Sequence, residues 1–105
     1  MLNWALLIVA IAFEVAGTTS MKLSRGFTRL LPTLLMFIFY GCGLTMMNLV
    51  IRRMDLSLVY AVWSGLGTAA IALIGILWFH EPATALRIVS IILIILGVVG
   101  LNLRP

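Results

Sequence analysis

Leu2-Asn-Trp-Ala-Leu-Leu-Ile-Val-Ala10-Ile-Ala-Phe-Glu14-Val-Ala-Gly17-Thr18-Thr-Ser-Met21 is nearly unbroken apolar sequence with one carboxylate inside it. As a helix rising 1.5 Å per residue, the run places Glu14 roughly 16 Å beyond Asn3, near the middle of a hydrocarbon layer about 30 Å thick. An acid at that depth costs about 2.5 to 3.5 kcal/mol on insertion, so it marks a working residue by default. At 100° per residue, Ala10, Glu14, Gly17, Thr18 and Met21 share an arc of about 100°. Apart from Met21 that arc is small or polar, which suits a helix facing protein and a cavity.

The composition excludes a water-soluble globule. Of 105 residues, 64% are hydrophobic and 10% charged, with a mean hydropathy of +1.26, whereas soluble domains are nearer half apolar. Apolar runs predict an all-α, integral membrane four-transmembrane-helix bundle, one membrane domain over residues 1–105, with helices over roughly 3–21, 31–51, 56–79 and 86–103. That leaves no length for a nucleotide-binding fold or catalytic head. No P-loop, no nucleophile with a histidine in reach and no paired metal ligands are present, so neither an enzyme nor a cofactor or metal site is expected. The seven basic residues sit singly or in pairs at the ends of apolar runs, as anchors to the lipid bilayer and not as a nucleic-acid stripe. Cys42 is alone in an apolar run and reads as a small buried hydrophobe. The amino terminus lacks a basic leader and Glu14 interrupts any signal core, so the first segment is expected to be retained.

Along the chain, Lys22 closes the first segment, and Lys22-Leu-Ser-Arg-Gly-Phe-Thr-Arg29 makes a basic connector with a glycine turn before Pro32 opens the second helix. There Tyr40, Gly43 and Met47 share a face, and Asn48 is the most polar group. Arg52-Arg53-Met-Asp55 is a short hinge suited to an antiparallel hairpin. In the third segment Tyr60, Ser64 and Gly67 lie along one ridge with Trp63 beside it, and Gly65 and Gly67 predict a bend or hinge, a tight crossing being the alternative. His80-Glu81-Pro82 reads as a solvated loop. The fourth segment carries little polarity, and its stripe of Ser90, Gly97 and Leu101 is expected to contact a second copy.

Basic residues are almost balanced across the membrane: Arg52, Arg53 and Arg104 on one side, Lys22, Arg25, Arg29 and Arg87 on the other. Such a bias does not fix orientation. Both insertions are therefore expected, and two copies in opposite orientation would form an inverted repeat around paired Glu14 side chains, an antiparallel dual-topology homodimer.

Phe13-Glu-Val-Ala-Gly-Thr-Thr-Ser-Met-Lys22, Gly26-Phe-Thr-Arg29 with Pro32, and Tyr60-Ala-Val-Trp-Ser-Gly-Leu-Gly67 resemble the small multidrug resistance transporters over the whole chain. The resemblance implies a multi-pass protein of the bacterial inner membrane that dimerises antiparallel and exchanges protons for organic cations. By the same resemblance Glu14 binds proton and substrate in turn, Tyr60 and Trp63 line the site, and the fourth helix makes the dimer contact. Ala10, Gly17, Thr18, Tyr40, Gly43 and Ser64 are expected to line the pocket. Gly17, Thr18, Ser64 and Tyr40 match the branch that exports quaternary ammonium compounds, glycine at 17 leaving room beside the carboxylate that a tryptophan would fill. Glu81-Pro82 to Ile88, with Thr84-Ala-Leu-Arg, is instead similar to the guanidinium exporters. Gly43 departs from a serine common to both branches, and Asp55 and Ser57 from a usual proline and glycine. A guanidinium/proton exporter and one subunit of a heterodimeric transporter are the alternatives.

Overall fold

Each long apolar run folds as one helix. The computed structural model describes residues 2–103 and contains α1 (Leu2–Leu23), α2 (Leu30–Val50), α3 (Leu56–Leu77) and α4 (Ala85–Asn102). All four are long and apolar enough to cross a membrane. Their ends agree with the expected spans to within two residues. Arg104, counted above in the charge balance, lies outside the described residues.

The helices lie in the order α2, α1, α3, α4: α1 packs on α2 and α3, and α4 packs on α3. The result is a slab of 46 × 35 × 18 Å with a radius of gyration of 14.8 Å, against about 13 Å for a round domain of this length. Leu7, Ile11, Val50, Val59, Val62 and Val98 form a small buried core. Outside it the usual pattern is reversed: Phe37, Leu77 and Leu86 are 63, 75 and 78% exposed, because hydrocarbon is the solvent. Cys42, expected to be buried, is exposed on this apolar surface.

Glycines permit two close helix contacts. A Cβ at Gly43 would stand 3.1 Å from the Ala10 carbonyl oxygen and 3.2 Å from Phe13 Cβ, so α2 approaches α1 backbone to backbone. A Cβ at Gly65 would lie 2.6 Å from Val98 Cγ2, which seats α4 against α3. Helix α3 is continuous through Gly65 and Gly67. On α4 only Ile91 and Val98 are buried. Ser90, Gly97 and Leu101 are exposed, so the stripe expected to meet another copy is open in the single chain.

The connectors are more ordered than their composition suggests. After α1, Arg25, Gly26 and Phe27 all have positive φ, at 50°, 69° and 68°, a conformation costing a side-chain-bearing residue about 1 to 2 kcal/mol. Ser24, 1% exposed, supports it. Its hydroxyl donates to the Met21 carbonyl and accepts from the Phe27 N–H, while its carbonyl accepts from the N–H groups of Thr28 and Arg29.

At the same end of the slab, α3 stops at Leu77 instead of the expected Phe79. His80 takes φ 56° and the Glu81 N–H turns back onto the Gly75 carbonyl at 3.0 Å, which closes the helix before Pro82. Glu81 lies in the loop as expected and stays half-exposed, but it is tucked over α3: its carboxylate touches the space above Gly75 and pairs with Arg87 at 3.4 Å.

Gly65→Val should push α4 off α3 and lower stability by about 1 to 3 kcal/mol, as overpacking does, whereas Gly41→Ala, where nothing lies within 4 Å, should be neutral or stabilising. Denaturant titration in detergent, following helix content, checks both.

Candidate functional site

Glu14 lies midway along α1, where residues of α2 and α3 come up beside it. Oε1 accepts a hydrogen bond from the Thr18 hydroxyl, one turn on, at 3.1 Å. Thr18 Oγ1 lies 2.6 Å from the Tyr40 hydroxyl of α2. With its own proton committed to Glu14, Thr18 accepts from Tyr40, giving a chain Tyr40 to Thr18 to Glu14 that crosses from α2 to α1. Oε2 lies against α3, 3.0 Å from where a Cβ of Gly67 would be. Among the described residues no basic side chain pairs with Glu14.

The carboxylate borders two cavities. One, of about 310 Å³, is lined by Glu14, Tyr40, Gly43, Leu44 and Trp63. The other, of about 320 Å³, is bounded by Glu14, Thr18, Trp63, Ser64, Gly67 and Thr68, with Ile71. Trp63 belongs to both, and its indole Nε1 is buried without a hydrogen-bond acceptor. An unpaired donor so placed costs about 1 to 3 kcal/mol and is available to an incoming acceptor. The Ser64 hydroxyl is bound to the Tyr60 carbonyl at 2.7 Å, so Ser64 lines the cavity without aiming a free donor at Glu14.

The expected residues therefore separate into groups. Glu14, Thr18, Tyr40, Gly43, Trp63, Ser64 and Gly67 come together. Tyr60 lines neither cavity; it is 58% exposed and stacks on Trp63 with ring centres 5.9 Å apart. Ala10 is fully buried beneath Gly43 and faces no cavity. Gly17 also lies behind the wall, because the Tyr40 ring occupies the space above it: a Cβ there would be 2.7 Å from Tyr40 Cδ1. Glycine at 17 thus seats an aromatic ring, and does not leave the void that sequence alone suggests. Thr68 and Ile71 were not anticipated; they lie one and two turns along α3 from Ser64, on a ridge an i, i+4 reading extends to.

A cavity beside a carboxylate midway along a membrane-length helix, walled by tryptophan and tyrosine and with no counter-cation among the described residues, is chemically suited to an organic cation. Comparison with known proteins agrees with a transporter. Residues 2–94 match the family described as Small Multidrug Resistance protein. The chain is 52% identical over 102 residues to the uncharacterized membrane protein YvaE of Bacillus subtilis, covering 97% of this chain and 86% of that one. It is 43% identical over 101 residues to the multidrug resistance protein EbrA of Bacillus licheniformis, covering 96% of each. It is 38% identical over 101 residues to the quaternary ammonium compound-resistance protein QacG of a Staphylococcus, covering 96% of this chain and 94% of that one.

Gly17→Val should clash with the Tyr40 ring and destabilise the protein by about 1 to 3 kcal/mol. Most of that loss should be absent when the same change is made in a Tyr40→Ala background, because the two sites are in contact. Unfolding of the four proteins of this double-mutant cycle in detergent measures the coupling; additive losses would mean that the ring does not sit there.

Proposed function

Because the chain belongs to the small multidrug resistance family of bacterial membrane transporters, we propose that it exports bulky lipophilic and quaternary ammonium cations in exchange for protons. The observation that carries this reading is Glu14: a midplane carboxylate between two cavities, hydrogen-bonded to Thr18 and without a basic partner among the described residues. In a low-dielectric setting a lone carboxylate is stable only when protonated or paired with a cation. Proton and substrate compete for it, so each displaces the other and the two fluxes are coupled.

The working unit is two copies in opposite orientation, with both Glu14 side chains facing one central space. In that unit Tyr60, exposed in the single chain and stacked on Trp63, closes the site from the second copy. The exposed stripe of Ser90, Gly97 and Leu101 on α4 forms the dimer contact. Bending of α3 at Gly65 and Gly67 exposes the carboxylates to each side in turn. Thr18 and Tyr40 hold Glu14 while it is unoccupied, and the Trp63 face takes the cation, a contact worth about 0.5 to 2 kcal/mol.

Bulky cations are favoured over guanidinium because the cavity walls offer aromatic faces and space. A guanidinium ion would instead need several fixed acceptors to match its planar fork. Proteoliposomes carrying this chain alone should exchange protons for a bulky quaternary ammonium ion faster than for guanidinium. Glu14→Gln should fold and lose proton-coupled transport of both. Rapid guanidinium exchange without bulky-cation exchange would place the chain among the guanidinium exporters, and transport that requires a second gene product would make it half of a heterodimer.

Dual insertion follows from the near balance of basic residues. Replacing Arg52 and Arg53 leaves one basic residue against four, and should lock the chain in a single orientation. Labelling of single cysteines from each side of the membrane should find both orientations in the parent protein and one in the variant.

A further inference from the structure

Beyond Glu14 the cavity system continues. A third cavity, of about 340 Å³, shares Thr18, Thr68 and Ile71 with the one beside Glu14 and ends among Lys22, Glu81 and Arg87. Adjoining at these three residues, the two make a half-open corridor along α1 and α3. From Glu14 to Lys22 is two turns of α1, about 12 Å at 1.5 Å per residue, so this corridor joins the midplane carboxylate to the end of the slab where α1 stops and α4 begins.

That end is strongly basic. Lys22, Arg25, Arg29 and Arg87 all lie there, and Lys22, Arg25 and Arg29 line a neighbouring cavity with Phe79. Of the chain's three acids, Glu14 is at midplane and Asp55 at the opposite end, so Glu81 is the one carboxylate among these cations. It is held in place on three counts. Its N–H binds the Gly75 carbonyl at 3.0 Å, its carboxylate sits in the space that the missing Gly75 side chain leaves, and Arg87 pairs with it at 3.4 Å. Arg87 is in turn tied to the Pro82 carbonyl at 3.0 Å. Both members of the pair are half-exposed, which makes the pair itself a weak source of stability. Its arrangement instead fixes a negative charge at the mouth of a route that leads to a cation-seeking site.

We propose that Glu81 is an electrostatic gatekeeper: fixed at the corridor mouth by Gly75 and Arg87, it offsets the positive charge of Lys22 and Arg87 and so admits cations to the space beside Glu14. The corridor and its charges are features of the single chain. The consequence for transport rests on the cation/proton exchange proposed above. With Glu81 the mouth residues Lys22, Glu81 and Arg87 sum to one positive charge, and without it to two. A charge a few ångströms from the path, in a partly aqueous cleft, changes the local concentration of a monovalent ion several-fold or more at low ionic strength, and less as salt screens it.

The test reads charge selectivity in the corridor directly and needs no transport. In the full-length protein, with the exposed Cys42 replaced by alanine, Thr68→Cys places a thiol on the shared wall. Its reaction rates with a cationic and with a neutral methanethiosulfonate reagent are compared. Glu81→Gln should lower the cationic-to-neutral rate ratio about tenfold at low ionic strength, with the gap shrinking at high salt. Adding Lys22→Gln to Glu81→Gln should restore the ratio, and Arg87→Gln alone should match or exceed the parent. An unchanged ratio in Glu81→Gln would overturn the proposal. So would equal slowing of both reagents, or Arg87→Gln behaving like Glu81→Gln, since either would make the pair a steric latch. The same variants in proteoliposomes should rank alike for quaternary ammonium exchange. Should the parent show the charge selectivity but no cation-coupled proton flux, the exchange reading fails while the gatekeeper stands.

Discussion

In hydrocarbon a polar group must find its partner within the protein, and this one constraint decides where several hydroxyls of the helices point. Thr19, Thr45 and Ser64 turn their hydroxyls to the carbonyl one turn back on their own helix, which satisfies the donor and leaves the helix self-contained. Thr18 does not. It reaches to Glu14 and to Tyr40 instead, and the helix packing makes this possible. Gly43 brings α2 against the backbone of α1, Gly17 makes room for the Tyr40 ring, and Gly67 lets α3 come up to the carboxylate. Three glycines from three helices thus set the packing around one acid.

Much of the architecture was legible because membrane helices are written in length and hydropathy. Four apolar runs gave four helices with ends correct to within two residues, and a single midplane acid drew attention to the cavities that the structure places beside it. What sequence did not reveal are matters of side-chain direction and loop conformation. Gly17 faces its helix neighbour correctly on an angular plot, yet only the position of Tyr40 shows that the neighbouring space is filled. Tyr60 and Trp63 are three residues apart, and helical geometry alone does not tell which of them turns inward. Glu81 is the loop residue it reads as, but nothing local announces that His80 adopts a left-handed conformation and folds the carboxylate back over Gly75. Ser24, buried under a turn containing Arg25 and Phe27 in left-handed conformations, is hidden for the same reason: a hydroxyl's partner is set by backbone angles that composition does not encode.

The two ends of the slab differ in kind. The end between α2 and α3 is a short turn with Arg52, Arg53 and Asp55 exposed. The other holds the Ser24 turn, the Glu81 clasp and Lys22 lying 5.9 Å from the centre of the Phe79 ring. The fixed elements that border the corridor therefore gather at one end. In a protein whose copies lie in opposite orientations, each face of the membrane would meet one end of each kind.

The Tyr40 ring lying over Gly17 also constrains how this site could change over time. A larger residue at 17 cannot be accepted while the ring is present, and loss of the ring leaves a hollow and an orphaned Thr18 oxygen until something fills it. Each single step is worse than either endpoint, so a lineage would need the change at position 40 first, tolerated at a cost, before bulk could arrive at position 17. The two positions behave as one heritable unit. A change of volume at position 17 is therefore tied to a change at position 40.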